Sequence, residues 1–236
     1  MNDTARTAPY VIDLGAPPSL GVEGSTSRFP VRRIYCVGRN YAEHAREMGH
    51  DPDREPPFFF MKPASSIVNN GATLGYPVGT KDLHHEIELV VAIGKAARDV
   101  PVERALDHVW GYGVGLDMTR RDLQGEAKKL GRPWEMGKAF DESAPCTDLR
   151  PAAEIGHPAR GAIWLEVNGT KKQSGDIAQQ IWNVSEQIAH LSRLVTLLPG
   201  DLIFTGTPAG VSSVHPGDRL VGHVDGVGDL TIQYAR

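Results

Sequence analysis

Two glutamates two positions apart at the start of an apolar run have the spacing of a metal site. The segment HHEIE, residues 84–88, leads directly into the run LVVAIG. Side chains alternate between the faces of a strand, so His84, Glu86 and Glu88 share one face and Ile87 the other. Carboxylates about 7 Å apart on a strand entering the core repel each other and lose hydration unless a cation lies between them. The alternative is a solvated strand edge, which the apolar run disfavours.

A third carboxylate, Asp117, ends the glycine-rich segment WGYGVGLD. Oxygen ligands at strand ends suit a hard cation such as Mg²⁺ or Mn²⁺. Zinc is disfavoured, because Leu89 stands where an HExxH motif would have its second histidine and no cysteine lies nearby. A second interpretation stays open, in which Asp117 caps a helix that begins near Thr119.

His44 and Glu47 form a second candidate pair, on a predicted helix with the sequence AEHAREMG. At i and i+3 they lie on one face, so Glu47 could orient the imidazole to take a proton from water. The alternative is an ordinary solvated helix face. The helix ends at Gly49, and the charged, proline-rich loop DPDREPP that follows is predicted to be the most mobile segment.

Groups that suit an anionic substrate lie on and after a predicted polar helix, RRDLQGEAKKLG. Arg121 and Gln124 are at i and i+3, and Lys138 follows in EMGKAF. An arginine can bind a carboxylate through its two-pronged guanidinium, and a buried lysine or glutamine can stabilise a developing oxyanion. The alternative is an ordinary charged helix, which is how we interpret Lys128 and Lys129.

The segment TGTPAG, residues 205–210, follows the apolar run DLIF and could bring backbone amides and Thr207 close to a ligand. It lacks the G-K-[ST] of a phosphate-binding loop. The segment GYGVG lacks GxGxxG spacing, and the chain contains no GxSxG motif. The sequence therefore disfavours a nucleotide site, a dinucleotide site and a serine nucleophile.

Composition limits the class of protein that carries these groups. The chain has 236 residues, 40% of them hydrophobic and 23% charged, which is enough for one substantial core. With 25 basic and 29 acidic residues the net charge is −4, which argues against nucleic acid as a partner. No apolar run approaches the roughly 20 residues of a membrane helix, so we expect no membrane partner and a cytoplasmic location. Cys36 and Cys146 predict neither a disulfide nor a thiolate zinc site.

The elements that must position these groups are mainly strands. The 26 glycines and 17 prolines break the chain often, and apolar runs with strand character alternate with a few helices. The dipeptide NG at residues 168–169 predicts a hairpin, and the segment around 182–197 predicts an amphipathic helix. Residues 1–30 are predicted to be an N-terminal strap and residues 31–236 a single catalytic domain. The predicted fold class is α+β and β-rich, with a dominant mixed sheet.

Six segments, from about Val31 to the C-terminus, together resemble the fumarylacetoacetate hydrolase family, in particular its small acylpyruvate hydrolases. They are YCVGRNYAEHAREM, FFFMKPASS, HHEIELVVAIG, GYGVGLDMTRRDLQ, PWEMGKAFD and IFTGTPAGV. The resemblance implies a mixed β-sheet roll of the family's C-terminal-domain type, usually as a homodimer. It also implies one Mg²⁺ or Mn²⁺ per subunit and a small anionic diketo acid as the substrate.

The same resemblance assigns roles to individual residues. It implies metal ligation by Glu86, Glu88 and Asp117, and catalysis by His44 and Glu47 as a water-activating dyad together with Lys138 and Gln124. For substrate binding it implies Arg121 and Thr207. Our own interpretation of the sequence leaves Arg39 and Lys62 open as alternative partners of a far carboxylate of the substrate.

The activity implied is hydrolysis of the carbon–carbon bond of a 2,4-diketo acid. The stretch SLGVEGSTSRFPVRRIYCVGRNYAEHAREMG most resembles members that cleave fumarylpyruvate to fumarate and pyruvate in gentisate-type aromatic catabolism. Relatives with similar motifs decarboxylate oxaloacetate or decarboxylate and isomerise homoprotocatechuate intermediates, and these activities are the alternatives. From a different class, the chain could be a non-catalytic metal- or ligand-binding module.

Overall fold

The computed structural model describes residues 11–43 and 55–236. The strands of these residues are β1 Ser19–Gly21, β2 Arg28–Pro30, β3 Arg33–Gly38, β4 Phe58–Lys62, β5 Ile67–Asn69, β6 Thr73–Leu74, β7 Leu83–His84, β8 Ile87–Ile93, β9 Val109–Leu116, β10 Thr119–Arg120, β11 Ala144–Cys146, β12 Arg150–Pro151, β13 Ala162–Val167, β14 Thr170–Asp176, β15 Asp201–Phe204, β16 Ser213–Val214, β17 Arg219–Val224 and β18 Gly228–Tyr234. The helices are α1 Arg121–Lys129, α2 Glu135–Lys138, α3 Ala152–Ile155 and α4 Val184–Leu194, with short 3-10 helices at Ala64–Ser66, Val102–His108 and Ile177–Gln179. None of the helices in these ranges is long and apolar enough to cross a membrane.

The strands form two large sheets and two small ones. The eight-stranded sheet has the order β4-β3-β15-β8-β9-β11-β5, with β12 paired to β9. It is mixed, because β3 runs parallel to β15 and β5 parallel to β11. The five-stranded sheet has the order β14-β13-β17-β18-β6, and a three-stranded sheet β10-β7-β16 and the ribbon β1-β2 complete the set. The predicted β-rich α+β class with a dominant mixed sheet is confirmed.

The central strand β8 divides its side chains between two cores. Ile87 and Leu89 belong to a core that includes residues of both large sheets. Val90 lies on the opposite face, in a second core. Glu88 is two residues before Val90 on the same strand, so alternation places its carboxylate on the face of Val90, opposite Ile87. This is the face that the sequence predicted. Each fully buried aliphatic side chain contributes about 1.5–3 kcal/mol, so this division is strongly fixed.

Part of the predicted strap packs on the second core. Leu20 of β1 and Phe29 of β2 are buried there, and the ring centroid of Phe29 lies 5.1 Å from that of Trp110. Residues 19–30 thus pack their apolar side chains on the sheet. The boundary at residue 30 between strap and catalytic domain stays a prediction.

Two local predictions are confirmed. Asn168 and Gly169 have φ of 53° and 77° and connect β13 to β14 in a hairpin, because both residues tolerate the left-handed region that such a turn needs. The amphipathic helix is α4, which begins after Asn183, whose side chain accepts a hydrogen bond from the amide of Glu186.

One local prediction is wrong, and one alternative interpretation is excluded. The segment beginning at His84 is not one continuous strand, because His85 leaves the ladder and buries its ring between Gln173 and Ser212. Asp117 does not cap a helix, because α1 begins only at Arg121. The residues between Asp117 and that helix include β10, which pairs with β7.

Candidate active site

Three buried carboxylates meet where β8 and β9 pair. In this antiparallel ladder Glu88 lies opposite Gly115, and the amide of Asp117 donates a 2.9 Å hydrogen bond to the carbonyl of Glu86. The side chains of Glu86, Glu88 and Asp117 therefore converge, with one oxygen of each within 4.8 Å of the others. We call these three residues the metal triad. No other group of this kind occurs among residues 11–43 and 55–236.

Burial of these carboxylates is costly without a cation. Glu88 and Asp117 are 2% and 1% exposed. Burial, followed by the neighbouring charges of Asp117 and Glu86, raises the pKa of Glu88 well above its usual value. Removing like charges from water disfavours the ionised form, and a divalent cation between them reverses that preference.

A lysine and an arginine on the helical side of the cleft contact the metal triad. Lys138 Nζ donates to Glu86 Oε2 at 2.8 Å and to Asp117 Oδ2 at 2.6 Å. Burial lowers the pKa of Lys138, but Asp117 and Glu86 outweigh it, so that pKa is raised and the ammonium stays charged. Arg121 donates to Glu86 Oε1 through Nη2 and to Gln124 Oε1 through Nη1 at 2.6 Å.

The remaining donor of Arg121 is also engaged. Its Nε donates to His84 Nδ1 at 3.3 Å. Burial, and then the charge of Arg121, lowers the pKa of His84, so its ring accepts this bond as a neutral imidazole. A guanidinium has five N–H groups, and three are engaged by described residues, which leaves donors on Nη1 and Nη2 for a ligand.

Lys62 lies behind Asp117. Its Nζ is 2.8 Å from Asp117 Oδ1 and donates to the carbonyl oxygens of Met118 (3.0 Å) and Lys138, and the residue is only 1% exposed. It is not among the residues that line the cleft. The predicted role in binding a far carboxylate does not fit this position, because the ammonium is buried and already has three oxygen partners.

The helices α1 and α2 pack closely enough to place Gln124 and Lys138 side by side. A Cβ on Gly137 would lie 2.8 Å from the backbone nitrogen of Gln124 and 2.9 Å from its Cβ. Only glycine permits this approach. Gln124 is 4% exposed and lines the cleft with Lys138.

The turn after β15 supplies the opposite wall. The amide of Gly206 donates to Glu88 Oε2 at 2.8 Å, and Gly206 has φ of 100°, which strongly favours glycine. Thr207 lines the cleft, and its Oγ1 accepts a 2.8 Å hydrogen bond from Gln173 Nε2. The hydroxyl proton of Thr207 is therefore available to a ligand.

Gln173 ties this wall to the strand that carries the glutamates. It is fully buried, and its Oε1 accepts from the amide of Ile87 at 3.0 Å and from His85 Nδ1 at 2.8 Å. Burial lowers the pKa of His85 to about 4, so the ring is neutral near pH 7. Sequence inspection missed Gln173, because a lone glutamine in the polar run TKKQSG carries no motif.

The mouth of the cleft combines cations with aromatic rings. The Arg39 guanidinium lies 5.2 Å from the ring centroid of Phe58, and Lys128 Nζ lies 5.7 Å from that of Trp134. The two rings meet edge to face with centroids 5.4 Å apart. These side chains line one cleft with Glu86 and Glu88, and a concave surface with a few convergent polar groups is typical of a small-molecule site. The solvated role predicted for Lys128 is wrong, since it lines this mouth.

The donor set fits a hard divalent cation. Asp117 Oδ1 is buried and receives no hydrogen bond of acceptable geometry from any described residue, although Lys62 lies close. An anionic oxygen in this state, beside two further buried carboxylates, suits Mg²⁺ or Mn²⁺. Zinc would favour nitrogen or sulfur ligands, which the metal triad lacks.

The structure thus brings together most of the predicted site residues. One cleft is lined by Glu86, Glu88, Arg39, Arg121, Gln124, Lys138 and Thr207, and Asp117 lies beside its two glutamates. His44 and Glu47 lie outside the described residues, as does most of the DPDREPP loop.

The chain is similar to one known protein family and to several characterised proteins. The fumarylacetoacetate (FAA) hydrolase C-terminal family matches residues 33–234. A fumarylpyruvate hydrolase from Pseudomonas aeruginosa, solved in complex with Mn²⁺ and pyruvate, is 55% identical, with a TM-score of 0.94 over 96% of this chain and 99% of that one. A fumarylpyruvate hydrolase from a Ralstonia species is 46% identical over 78% of this chain and 97% of its own length. The mitochondrial oxaloacetate tautomerase of Homo sapiens is 41% identical over 86% of this chain and 91% of its own length.

These similarities confirm the predicted fold type and the predicted cofactor. The roll of mixed sheets is shared with proteins of the C-terminal-domain type. The bound Mn²⁺ in one relative agrees with the acidic cluster found in this chain. The cofactor is a divalent cation of the Mg²⁺ or Mn²⁺ type.

Proposed function

The chain belongs to the fumarylacetoacetate hydrolase family, and on that premise we propose that it hydrolyses the carbon–carbon bond of an acylpyruvate. The substrate we propose is fumarylpyruvate, which would give fumarate and pyruvate in gentisate-type aromatic catabolism. One observation carries the proposal: Glu86, Glu88, Lys138, Arg121 and Gln124 line a single cleft, and Asp117 lies beside the two glutamates and contacts Lys138. Acidic ligands and cationic donors are both needed to bind and cleave a diketo acid.

Glu86, Glu88 and Asp117 would hold the cation. When bound, it supplies Lewis-acid polarisation of the 2-oxo group and stabilises the enolate that leaves. Gly206 fixes one oxygen of Glu88, and Lys62 fixes Asp117 from behind, so both carboxylates are oriented before substrate arrives.

Other side chains of the cleft bind and orient the substrate. Arg121 has two N–H groups left for the carboxylate of the pyruvate portion, and Thr207 can donate its hydroxyl proton to the same end. Lys138 and Gln124 lie together beside the metal triad, where they can donate to the oxyanion that develops at the 4-carbonyl. Their close packing keeps these donors fixed before the reaction.

Water activation is the role we propose for His44, with Glu47 as its orienting partner. His44 would take a proton from water, and the hydroxide would add to the 4-carbonyl carbon. The bond between C3 and C4 then breaks, its electron pair forms the enolate of pyruvate, and the acyl portion leaves as a carboxylic acid. A His44→Ala variant should lose hydrolysis and keep metal binding.

A second function is favoured by a specific similarity. The human oxaloacetate tautomerase aligns with nearly its whole length, and tautomerisation needs the same enolate but no attack by water. Decarboxylation of oxaloacetate and isomerisation of homoprotocatechuate intermediates use that enolate too. A non-catalytic binding module is disfavoured, because the cleft keeps both Lys138 and Gln124.

A substrate panel separates these activities. The purified protein with Mg²⁺ or Mn²⁺ is given fumarylpyruvate, acetylpyruvate and oxaloacetate in turn. We expect loss of diketo absorbance together with formation of pyruvate from the first two. If keto–enol exchange of oxaloacetate is accelerated while neither diketo acid is cleaved, the tautomerase assignment replaces ours. A homodimer, one cation per subunit and a cytoplasmic location stay predictions that accompany this function.

A further inference from the structure

Two cations face the mouth of the cleft on a pair of aromatic rings. Arg39 lies over Phe58, and Lys128 lies over Trp134, at 5.2 and 5.7 Å from the ring centroids. Both distances are within the range of a cation–π contact, which holds a charged group in place without neutralising it. The rings touch edge to face, so the two charges belong to one wall of the cleft.

Within residues 11–43 and 55–236, these two cations are not needed to offset the charge of the metal triad. The metal triad already has three cationic neighbours, Lys62, Lys138 and Arg121. Neither Arg39 nor Lys128 forms an ion pair with a carboxylate of residues 11–43 or 55–236. Both side chains line the cleft together with Glu86 and Glu88, so their charge acts on the space of the cleft.

Holding these charges together has a cost that favours an anionic occupant. Burial, followed by the charges of Arg39 and Arg121, lowers the pKa of Lys128. Arg39 adopts a left-handed backbone conformation, with φ of 55°, which is unfavourable for a side-chain-bearing residue. Strained backbone and like charges placed together are typical of a ligand site.

We infer that Arg39 and Lys128 form a subsite for a second carboxylate, so that the cleft selects acylpyruvates whose acyl group itself ends in a carboxylate. The pyruvate portion lies at the metal triad, and the acyl chain runs along Phe58 and Trp134 to the two cations. A flat, conjugated acyl chain fits against such an aromatic wall. Lys62, the other candidate for the far carboxylate, is buried behind Asp117 and lines no part of the cleft.

The inference rests on the proposed function, because it takes a diketo acid to bind with its pyruvate end at the metal triad. A kinetic test compares fumarylpyruvate, which has the second carboxylate, with acetylpyruvate, which lacks it. In Lys128→Met we expect kcat/KM for fumarylpyruvate, divided by kcat/KM for acetylpyruvate, to fall about tenfold. A fall of this size is expected for the loss of a charge-assisted contact. Lys129→Met is the matched control, since Lys129 is exposed on the same helix and does not line the cleft. It should keep the wild-type ratio.

A binding test is independent of hydrolysis. With Mn²⁺ present, 2-oxopimelate and 2-oxoheptanoate are titrated calorimetrically, since they match in length and differ only in the far carboxylate, and neither has a 4-oxo group. The wild type should bind 2-oxopimelate about tenfold more tightly, and added salt should reduce that preference. Lys128→Met and Arg39→Gln should each lower it.

The outcomes of the two tests are distinguishable. If the preference for 2-oxopimelate depends on Lys128 but no acylpyruvate is cleaved, the subsite stands and the proposed function falls. If the wild type cleaves acylpyruvates but binds both oxo acids equally, the subsite is refuted and the proposed function stands. Equal effects of Lys128→Met and Lys129→Met would also refute the subsite.

Discussion

The backbone amide of Asp117 donates a 2.9 Å hydrogen bond to the carbonyl oxygen of Glu86, so two ligands of the metal triad are joined by their main chains. The third ligand, Glu88, lies two residues after Glu86, in β8. Antiparallel pairing thus fixes the backbone positions of all three ligands relative to one another. The cleft is built on a strand whose residues are all buried, and sites on rigid strands are held more precisely than sites on loops.

Replacing Glu88 by glutamine should abolish the metal site and spare the fold. The amide oxygen of glutamine can still accept from Gly206, but one negative ligand is lost. We expect Mn²⁺ affinity to fall by more than about 100-fold, measured by calorimetry. The free energy of unfolding of the metal-free protein should not decrease, because one of three mutually repelling carboxylates is neutralised. Glu126→Gln, an exposed change on α1, is the control, and equal affinities in both variants would contradict the assignment.

Lys62→Met should destabilise the metal-free protein, because it leaves the buried Asp117 beside one cation fewer and two carbonyl oxygens without their donor. Breaking a buried pair from one side costs about 3–5 kcal/mol. Mn²⁺ should restore part of the loss, since it returns positive charge to Asp117. Denaturant unfolding with and without Mn²⁺ measures both effects, with exposed Lys95→Met as the control. A metal-free variant as stable as the wild type would refute this role of Lys62.

Patterns with one dominant physical cause could be predicted from the sequence. Period-two alternation placed Glu88 on the face opposite Ile87, and the dipeptide Asn168-Gly169 specified its hairpin, because only local backbone geometry matters there. The metal triad was also predictable, since carboxylates buried together at strand ends are too costly to keep ionised unless a cation offsets their charge.

Features that depend on distant partners could not be predicted in this way. Lys62 ends the run FFFMK and Lys128 is one of two adjacent lysines on α1, and only tertiary packing puts one behind Asp117 and the other on Trp134. Gln173 reaches His85 across 88 positions of sequence, and no periodicity encodes such a contact. The break in the strand at His85 arises from that same long-range bond, which outweighs local strand propensity.

The imidazole of His223 should contribute a pH-dependent part of the stability. Partial burial lowers its pKa, but hydrogen bonds from its two nitrogens to Asp229 (2.6 Å) and Asp225 (2.9 Å) outweigh burial, and the pKa is raised. A raised pKa in the folded state means that the stabilisation is full below about pH 6.5, the unfolded value, and is lost as the pH rises through the folded pKa. Because the group is partly exposed, we expect less than about 1 kcal/mol.

The test of His223 compares free energies of unfolding at pH 6 and pH 9. His223→Gln should lose this part of the difference between the two values, whereas exposed His215→Gln should retain the wild-type difference. An unchanged pH dependence in His223→Gln would show that the two aspartates do not stabilise the charged ring.

Replacement by alanine should change the free energy of unfolding in opposite directions at two glycines, Gly137 in α2 and Gly125 in α1. At Gly137 a Cβ would lie 2.8–3.0 Å from backbone and Cβ atoms of Gln124, so Gly137→Ala must push α1 and α2 apart. We expect a loss of about 1–3 kcal/mol and a fall in kcat, because Gln124 and Lys138 no longer share one position at the cleft. At Gly125 no atom lies within 4 Å of the added Cβ, so Gly125→Ala should stabilise the helix by about 0.5–1 kcal/mol with activity retained. Denaturant unfolding and steady-state kinetics of both variants test the pair, and a Gly137→Ala protein with wild-type kcat would show that the close approach of these helices does not set the positions of the donors.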